Sequence, residues 1–173
     1  FLRKALDSIR AQTVYGALPI EVLIGLDLGA SSPIELLGEP GVRVVEAYAR
    51  SQVAALNAAI RASTGAFIAI LEDDDRWAPP YLALMLELAG QAPLVTTNEL
   101  EVDETGMALN ISDCATPSAW VFQRTLWEQI GPFDDDHRYH FDCDWLGRVQ
   151  QSGTTRIHIV EAGAPLDTGA IAR

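Results

Sequence analysis

Two stretches of the sequence set carboxylates directly behind an apolar run. Ala66 to Leu71 (AFIAIL) leads straight into Glu72, Asp73, Asp74 and Asp75. Glu21 to Asp27 (EVLIGLD) ends on Asp27, ahead of a loop punctuated by Gly29, Ser31, Ser32 and Pro33. Successive carboxylates repel one another and resist burial. A hard divalent cation, Mn²⁺ or Mg²⁺, offsets that repulsion, because both ions prefer oxygen ligands and share them with substrate phosphates. The plain alternative is a solvated acidic loop. Placement directly after a buried strand, and before Trp77 and Pro79, favours the cation.

The elements that must position these acids follow from apolar periodicity. Phe1, Leu2, Ala5, Leu6 and Ile9 fall on one helical face. Glu21 to Asp27, Val42 to Val45 and Ala66 to Leu71 read as short buried strands. Val53, Leu56, Asn57 and Ile60 mark a helix that stops near Gly65, and Pro80 opens another that ends at Gly90. This alternation predicts an α/β layer with a largely parallel sheet. If the runs ending in Asp27 and Leu71 lie parallel in it, both sets of acids sit at the carboxyl ends of strands, where open sheets bind ligands. Further on, Leu94 to Val102 reads as a strand entering a turn at Asp103 to Gly106. Helices are expected over Arg124 to Ile130 and Asp142 to Ser152, and a late strand over Thr155 to Val160.

A chain of 173 residues with 49% apolar and 21% charged residues suffices for one domain with a core. Twenty-four acidic against twelve basic residues give a formal charge of −12, which argues against a nucleic-acid surface, since that needs a basic footprint. No apolar run approaches the length of a membrane span. The two cysteines, Cys114 and Cys143, lack zinc-type spacing and read as reduced thiols of a cytoplasmic protein, with a single disulfide as the alternative.

Six segments, in order, resemble the inverting glycosyltransferases of family 2, whose fold is GT-A: an α/β, Rossmann-like, mostly parallel mixed sheet flanked by helices. The segments are FLRKALDSIRAQ from Phe1, LIGLDLGASS around Asp27, AALNAAIRASTG from Ala54, FIAILEDDDRWAP from Phe67, VFQRTLWEQIGPFDD from Val121 and FDCDWLGRVQQSG from Phe141. Each alone is weak; the ordered set covers most of the chain. The resemblance implies metal-dependent transfer of a sugar, with inversion, from a UDP-, GDP- or TDP-sugar donor to a saccharide, lipid or protein acceptor. It implies one catalytic domain over 1–173, with a nucleotide- and metal-binding half (1–90) and an acceptor-side half (91–173). Family members begin with a strand ahead of the first helix, so a strand is expected before Phe1, and any membrane-surface association would involve segments outside this stretch.

Roles transfer position by position. The resemblance implies that Asp27 bonds the nucleotide base, Arg50 helps hold the nucleotide, Asp73 meets the ribose region, Asp74 ligates Mn²⁺ or Mg²⁺ on the diphosphate, and Asp75 assists. Glu72 stands where the family has Asp, one methylene longer, and is assigned to the nucleotide-sugar site. Asp142 falls at the position of the catalytic base, where a helix start favours the ionised carboxylate; a capping role is the competing reading. Phe141 replaces the acid that usually precedes it, and Asp144 is the substitute if the register is shifted.

Other conspicuous residues have structural explanations. Asn57 either orients a site loop or is a helix-facing core residue. Asp134, Asp135, Asp136 and His137 look like a second metal cluster but fit a solvated turn better. His158 fits a structural role in an alternating strand. Trp77, Trp127 and Trp145 fit core or rim positions, while Trp120 could stack on a sugar face. The rivals to a transferase are a nucleotidyltransferase of related architecture and a sugar-nucleotide binding domain without turnover.

Overall fold

A computed structural model describes residues 1–31, 39–113, 115–160 and 171–172, the last two as backbone. The chain folds into two compact units, each assembled from separated segments. Unit 1 comprises Phe1–Leu18, Phe67–Leu126 and Thr154–Arg173, and unit 2 comprises Pro19–Ala66 and Trp127–Gly153.

Unit 1 opens with helix α1 (Leu2–Arg10), which buries Ala5, Leu6, Ser8 and Ile9 on the face predicted by their spacing. Gln12, just beyond it, is buried and bonds in two directions. Its Nε2 donates to Ser8 O (3.0 Å) and Ala78 O (2.9 Å), and its Oε1 accepts from Leu82 N (2.8 Å). Leu82 lies in the first turn of α3 (Tyr81–Ala89), whose own N-cap, Pro80, supplies no side-chain bond. Gln12 therefore satisfies one of the donors that a helix start leaves open. Strands β3 (Phe67–Ala69), β5 (Leu94–Thr97), β8 (Trp120–Gln123) and β9 (Arg156–Ile159) form a mixed sheet in the order β3-β8-β5-β9. β8 is antiparallel to both neighbours and β9 is parallel to β5. A second sheet has the order β4 (Arg76–Trp77), β10 (Ile171–Ala172), β6 (Glu99–Val102), β7 (Ala108–Ser112).

The single strand expected over Leu94 to Val102 is two strands in different sheets. Asn98 stands at the break: its backbone N–H donates to Ile159 O (3.2 Å) and its Oδ1 meets His158 Nε2 (2.9 Å). An apolar run alone cannot register such a handover, because burial continues unbroken across it, from Leu94 to Leu100. The expected turn at Asp103 to Gly106 is present, closed by Asp103 Oδ1 accepting from Thr105 N (2.8 Å) and Met107 N (3.0 Å).

Unit 2 holds β1 (Val22–Leu26) parallel to β2 (Val42–Glu46), with α2 (Gln52–Ala62) packed on both. α2 starts at Ser51, whose side chain accepts from Ala54 N (3.0 Å). Gly25 lies so close to α2 that an added Cβ would stand 2.5 Å from Ala55 O, which only glycine avoids. Asn57 is fully buried: its Nδ2 donates to Phe133 O (2.9 Å) and its Oδ1 accepts from Phe133 N (3.0 Å). Its core role is thereby plain. Helix α4 (Arg124–Ile130) leads from the unit 1 segment into the second segment of unit 2, which also holds α5 (Phe141–Gln151), and Phe141 packs edge-on against Phe133 with centroids 5.3 Å apart.

Candidate functional site

The acidic run of unit 1 is a tight turn between β3 and β4. Asp75 N donates to Glu72 O (3.2 Å), so the chain reverses within the four acids. The four acids fare differently. Asp73 and Asp74 are exposed, Glu72 is half-buried, and Asp75 is only 2% exposed. Among the described residues, no hydrogen bond or ion pair engages the carboxylate of Asp73 or Asp74. Two adjacent carboxylates held outward are the hard oxygen donors that Mn²⁺ or Mg²⁺ takes, so the residues fit such an ion.

Ser118 grips this turn at both ends, a residue that sequence reasoning passed over. It lies in a 3-10 turn (Pro117–Ala119) and is fully buried. Its Oγ accepts from Glu72 N (2.9 Å), and its carbonyl accepts from Trp77 Nε1 (2.8 Å) and Tyr81 Oη (3.2 Å). Burial, and then the charge of Glu99, push the Tyr81 hydroxyl well above its ordinary range, so it stays a donor at any physiological pH. On the other side, Trp77 N donates to Ser8 Oγ (3.2 Å), and Trp77 stacks on Tyr81 with centroids 4.9 Å apart. The exposed carboxylates thus stand on a buried frame tied together by the hydrogen bonds of Ser118 and Ser8 to Glu72, Trp77 and Tyr81. A single Ser in a Pro-Ser-Ala stretch carries no pattern that would have flagged it.

In unit 2, Asp27 follows β1 directly and is exposed. The turn behind it is held by Asp27 O accepting from Ala30 N (2.9 Å) and Glu46 Oε1 accepting from Gly29 N (3.3 Å). Gly29 has φ +71°, the left-handed region that favours glycine. Arg50 joins the same turn: its Nε donates to Leu28 O (3.1 Å), and it too is exposed. Asp27 and Arg50 are therefore brought together on one loop pair of this unit.

Asp142 also belongs to unit 2. The helix begins at Phe141, one residue earlier than expected, and its N-cap is His140, which makes no side-chain cap bond. Asp142 is therefore inside the first turn, and the capping role falls away. Asp144, the substitute, is occupied: its Oδ2 accepts from Arg148 Nε (2.9 Å), while Arg148 also donates to Ile130 O (3.0 Å) and Pro132 O (2.9 Å).

The remaining candidates resolve into structure. Trp120 is fully buried and donates to Ala115 O (3.0 Å), so it cannot stack on a sugar. Trp77 and Trp145 are core residues, and Trp127 is half-buried. Asp134 to His137 form an exposed turn in which Asp134 Oδ1 accepts from Asp136 N (3.0 Å). That bond is the first cause that holds the Asp134 carboxyl below its usual range. His158 is bonded through both ring nitrogens, to Thr96 Oγ1 (2.8 Å) and Asn98. Cys143 is an exposed thiol, and Cys114 lies outside the described residues, as do Ser32 and Pro33. No helix among the described residues is long and apolar enough to cross a membrane.

Known proteins share this fold. S. aureus TarS, residues 1–349 in complex with UDP, superposes with a TM-score of 0.73 at 12% identity, covering 100% of this chain and 56% of that one. The same protein in complex with UDP-GlcNAc gives 0.71 at 11% identity, with 98% and 57% covered. At such identities the likeness shows the fold, which is GT-A. An uncharacterized glycosyltransferase of Bacillus subtilis (strain 168), YwdF, is 27% identical over 170 residues, which cover 86% of this chain and 62% of that protein. The chain therefore spans less than two thirds of the length of these relatives. The model of the family described as Glycosyl transferase family 2 matches residues 1–101, more than half of the sequence, and the chain belongs to that family.

Proposed function

We propose that this domain transfers a sugar from a nucleotide-sugar donor to an acceptor hydroxyl, with inversion at the anomeric carbon. The observation that carries the reading is the exposed Asp73–Asp74 pair, held on a buried frame in a chain of this family. Family membership favours it over a nucleotidyltransferase. A UDP-sugar is the first donor to try, since solved neighbours of the same fold are complexes with UDP and UDP-GlcNAc.

In this reading Asp27 bonds the base, Arg50 helps to hold the nucleotide, and Asp73 meets the ribose, with Glu72 and Asp75 shaping the turn from which Asp73 and Asp74 project. A divalent cation held by Asp74, Mn²⁺ or Mg²⁺, supplies charge stabilisation for the departing diphosphate. Asp142, in the first turn of α5, accepts the proton of the attacking acceptor hydroxyl. Its neighbour Asp144 is not suited to that task while it is paired with Arg148.

Calorimetry tests the donor site. Asp74→Ala should weaken Mn²⁺-dependent binding of UDP without unfolding the protein. Unchanged metal-dependent affinity in a folded variant would move the cation elsewhere. Release of nucleoside diphosphate on adding donor and acceptor separates a transferase from a binding domain without turnover.

A further inference from the structure

Around the start of α5, three side chains of different chemistry converge. A ring nitrogen of His140, a carboxylate oxygen of Asp142 and the Sγ of Cys143 all lie within 4.8 Å of one another. Phe141, between His140 and Asp142 in sequence, is 6% exposed and packs on Phe133, which also lies 5.6 Å from Trp145. Trp145 Nε1 donates to Gly131 O (3.0 Å). The backbone that carries the three groups is thus anchored from below, while His140 and Cys143 are exposed and Asp142 is half-buried.

We propose that His140, Asp142 and Cys143 form a site for a borderline-soft divalent cation of the Zn²⁺ class, and that its occupancy shuts off transfer. The ligand set decides the cation class. Imidazole, thiolate and one carboxylate suit Zn²⁺, whereas Mg²⁺ and Mn²⁺ prefer oxygen throughout. Zn–ligand bonds of about 2.0–2.3 Å put tetrahedral ligands roughly 3.3–3.7 Å apart, so atoms within 4.8 Å of one another reach that spacing with at most about 1.5 Å of side-chain closure. Three protein ligands leave a fourth position for water. Binding releases the thiol proton to solvent. A second cluster, Asp134, His137 and Asp144, lies within the same spacing but is the poorer choice, because Arg148 already supplies the cation at Asp144.

The inhibitory part rests on the reading of Asp142 as base: a carboxylate bound to Zn²⁺ cannot accept the acceptor's proton. The metal site itself does not rest on that reading, and Co²⁺ tests it without any activity measurement. Titration of the protein in saturating Mg²⁺ should give a thiolate-to-cobalt charge-transfer band that saturates near one equivalent and is abolished by Zn²⁺. Cys143→Ser should lack the band, Cys114→Ser should keep it, and His140→Ala should weaken Zn²⁺ binding by at least about tenfold, the loss that even an outer partner of a ligand produces. Absence of the band in the wild type, or its persistence in Cys143→Ser, overturns the site. In transfer assays Zn²⁺ should inhibit the wild type and spare Cys143→Ser, which retains Asp74. Zn²⁺ that fills the site yet leaves the rate unchanged would uphold the site and overturn the role of Asp142 as base.

Discussion

Asp142 and Asp144 are two residues apart in the first turn of α5 and differ in what surrounds them. Asp144 is locked to Arg148 at 2.9 Å, and that arginine in turn gathers the carbonyls of Ile130 and Pro132. Asp142→Asn is expected to keep donor and metal binding nearly normal while transfer falls by roughly two or more orders of magnitude. Asp144→Asn should instead cost about 0.5–1 kcal/mol of stability, the scale of a half-exposed pair on one helix, with little change in rate. Steady-state transfer rates and urea unfolding of both variants decide the matter; the reverse pattern would make Asp144 the base. The acids themselves were legible because a carboxylate behind an apolar run is a local pattern. The partner that occupies Asp144 could be guessed from i,i+4 spacing alone. The carbonyls that pin Arg148 could not, since they come from sixteen and eighteen residues away in the chain.

At the scale of elements, the acidic turn depends on a 3-10 segment more than forty residues further along the chain. Ser118→Ala removes the oxygen that accepts from Glu72 N while leaving the backbone carbonyl to Trp77 and Tyr81. The stranded donor should cost about 1 kcal/mol or more. If the turn shifts with it, Mn²⁺-dependent UDP binding should weaken by roughly fivefold, which corresponds to about 1 kcal/mol. Calorimetry beside urea unfolding distinguishes a positioning role from a merely structural one, in which stability falls and affinity holds. The helices and the strands before the acids were legible from periodicity, and five helices lie where the pattern set them to within a few residues. The strands before the acids are not the buried ones expected: β1 is half-buried throughout and β3 buries only Ile68. Strands β4, β7 and β8 were not legible. β8 is four residues long and gains its identity only from pairing on both sides, with β3 and with β5. β7 is exposed along most of its length and shows no buried alternation.

The whole molecule carries a formal charge of −12, so its pH response mixes self-repulsion with individual groups. His158 offers a separable component. Burial lowers its pKa from the ordinary 6.5, Arg156 acts the same way, and Asp113 opposes them. With Asn98 Oδ1 accepting at Nε2, the neutral ring takes the Thr96 hydroxyl proton as a hydrogen bond at Nδ1. The unfolded chain therefore picks up a proton near pH 6.5, and the folded protein only at lower pH. Below 6.5 the unfolded state binds more protons, so stability falls as pH drops through that window and is unaffected above it. Glu21, Asp103 and Asp134 act lower down: their pKa values are depressed by hydrogen bonds, so their contribution is present above the ordinary values of 4.5 and 3.8 and lost as pH falls through the folded ones. Urea unfolding of wild type and His158→Gln across this range should give a stability difference that is flat above pH 6.5 and declines below it, since the carboxylates cancel in the comparison. A difference that grew on acidification would mean a charged ring in the folded protein.

The sequence by itself determined the family, the α/β class, the helical periodicity and the presence of acids behind two strands, because each of these is written in patterns a few residues long. The tertiary structure alone decided which acids face solvent. Four carboxylates in a row read alike, yet Asp75 is buried and Asp73 and Asp74 are exposed, because the turn closes from Asp75 N to Glu72 O and Ser118 grips its first residue. It also decided that Trp120 is core, that Asn57 is a strut for Phe133 and that each compact unit is assembled from separated stretches of chain. Each of these depends on contacts between residues distant in sequence, and a side chain's type does not specify which distant backbone group will complete its hydrogen bonds.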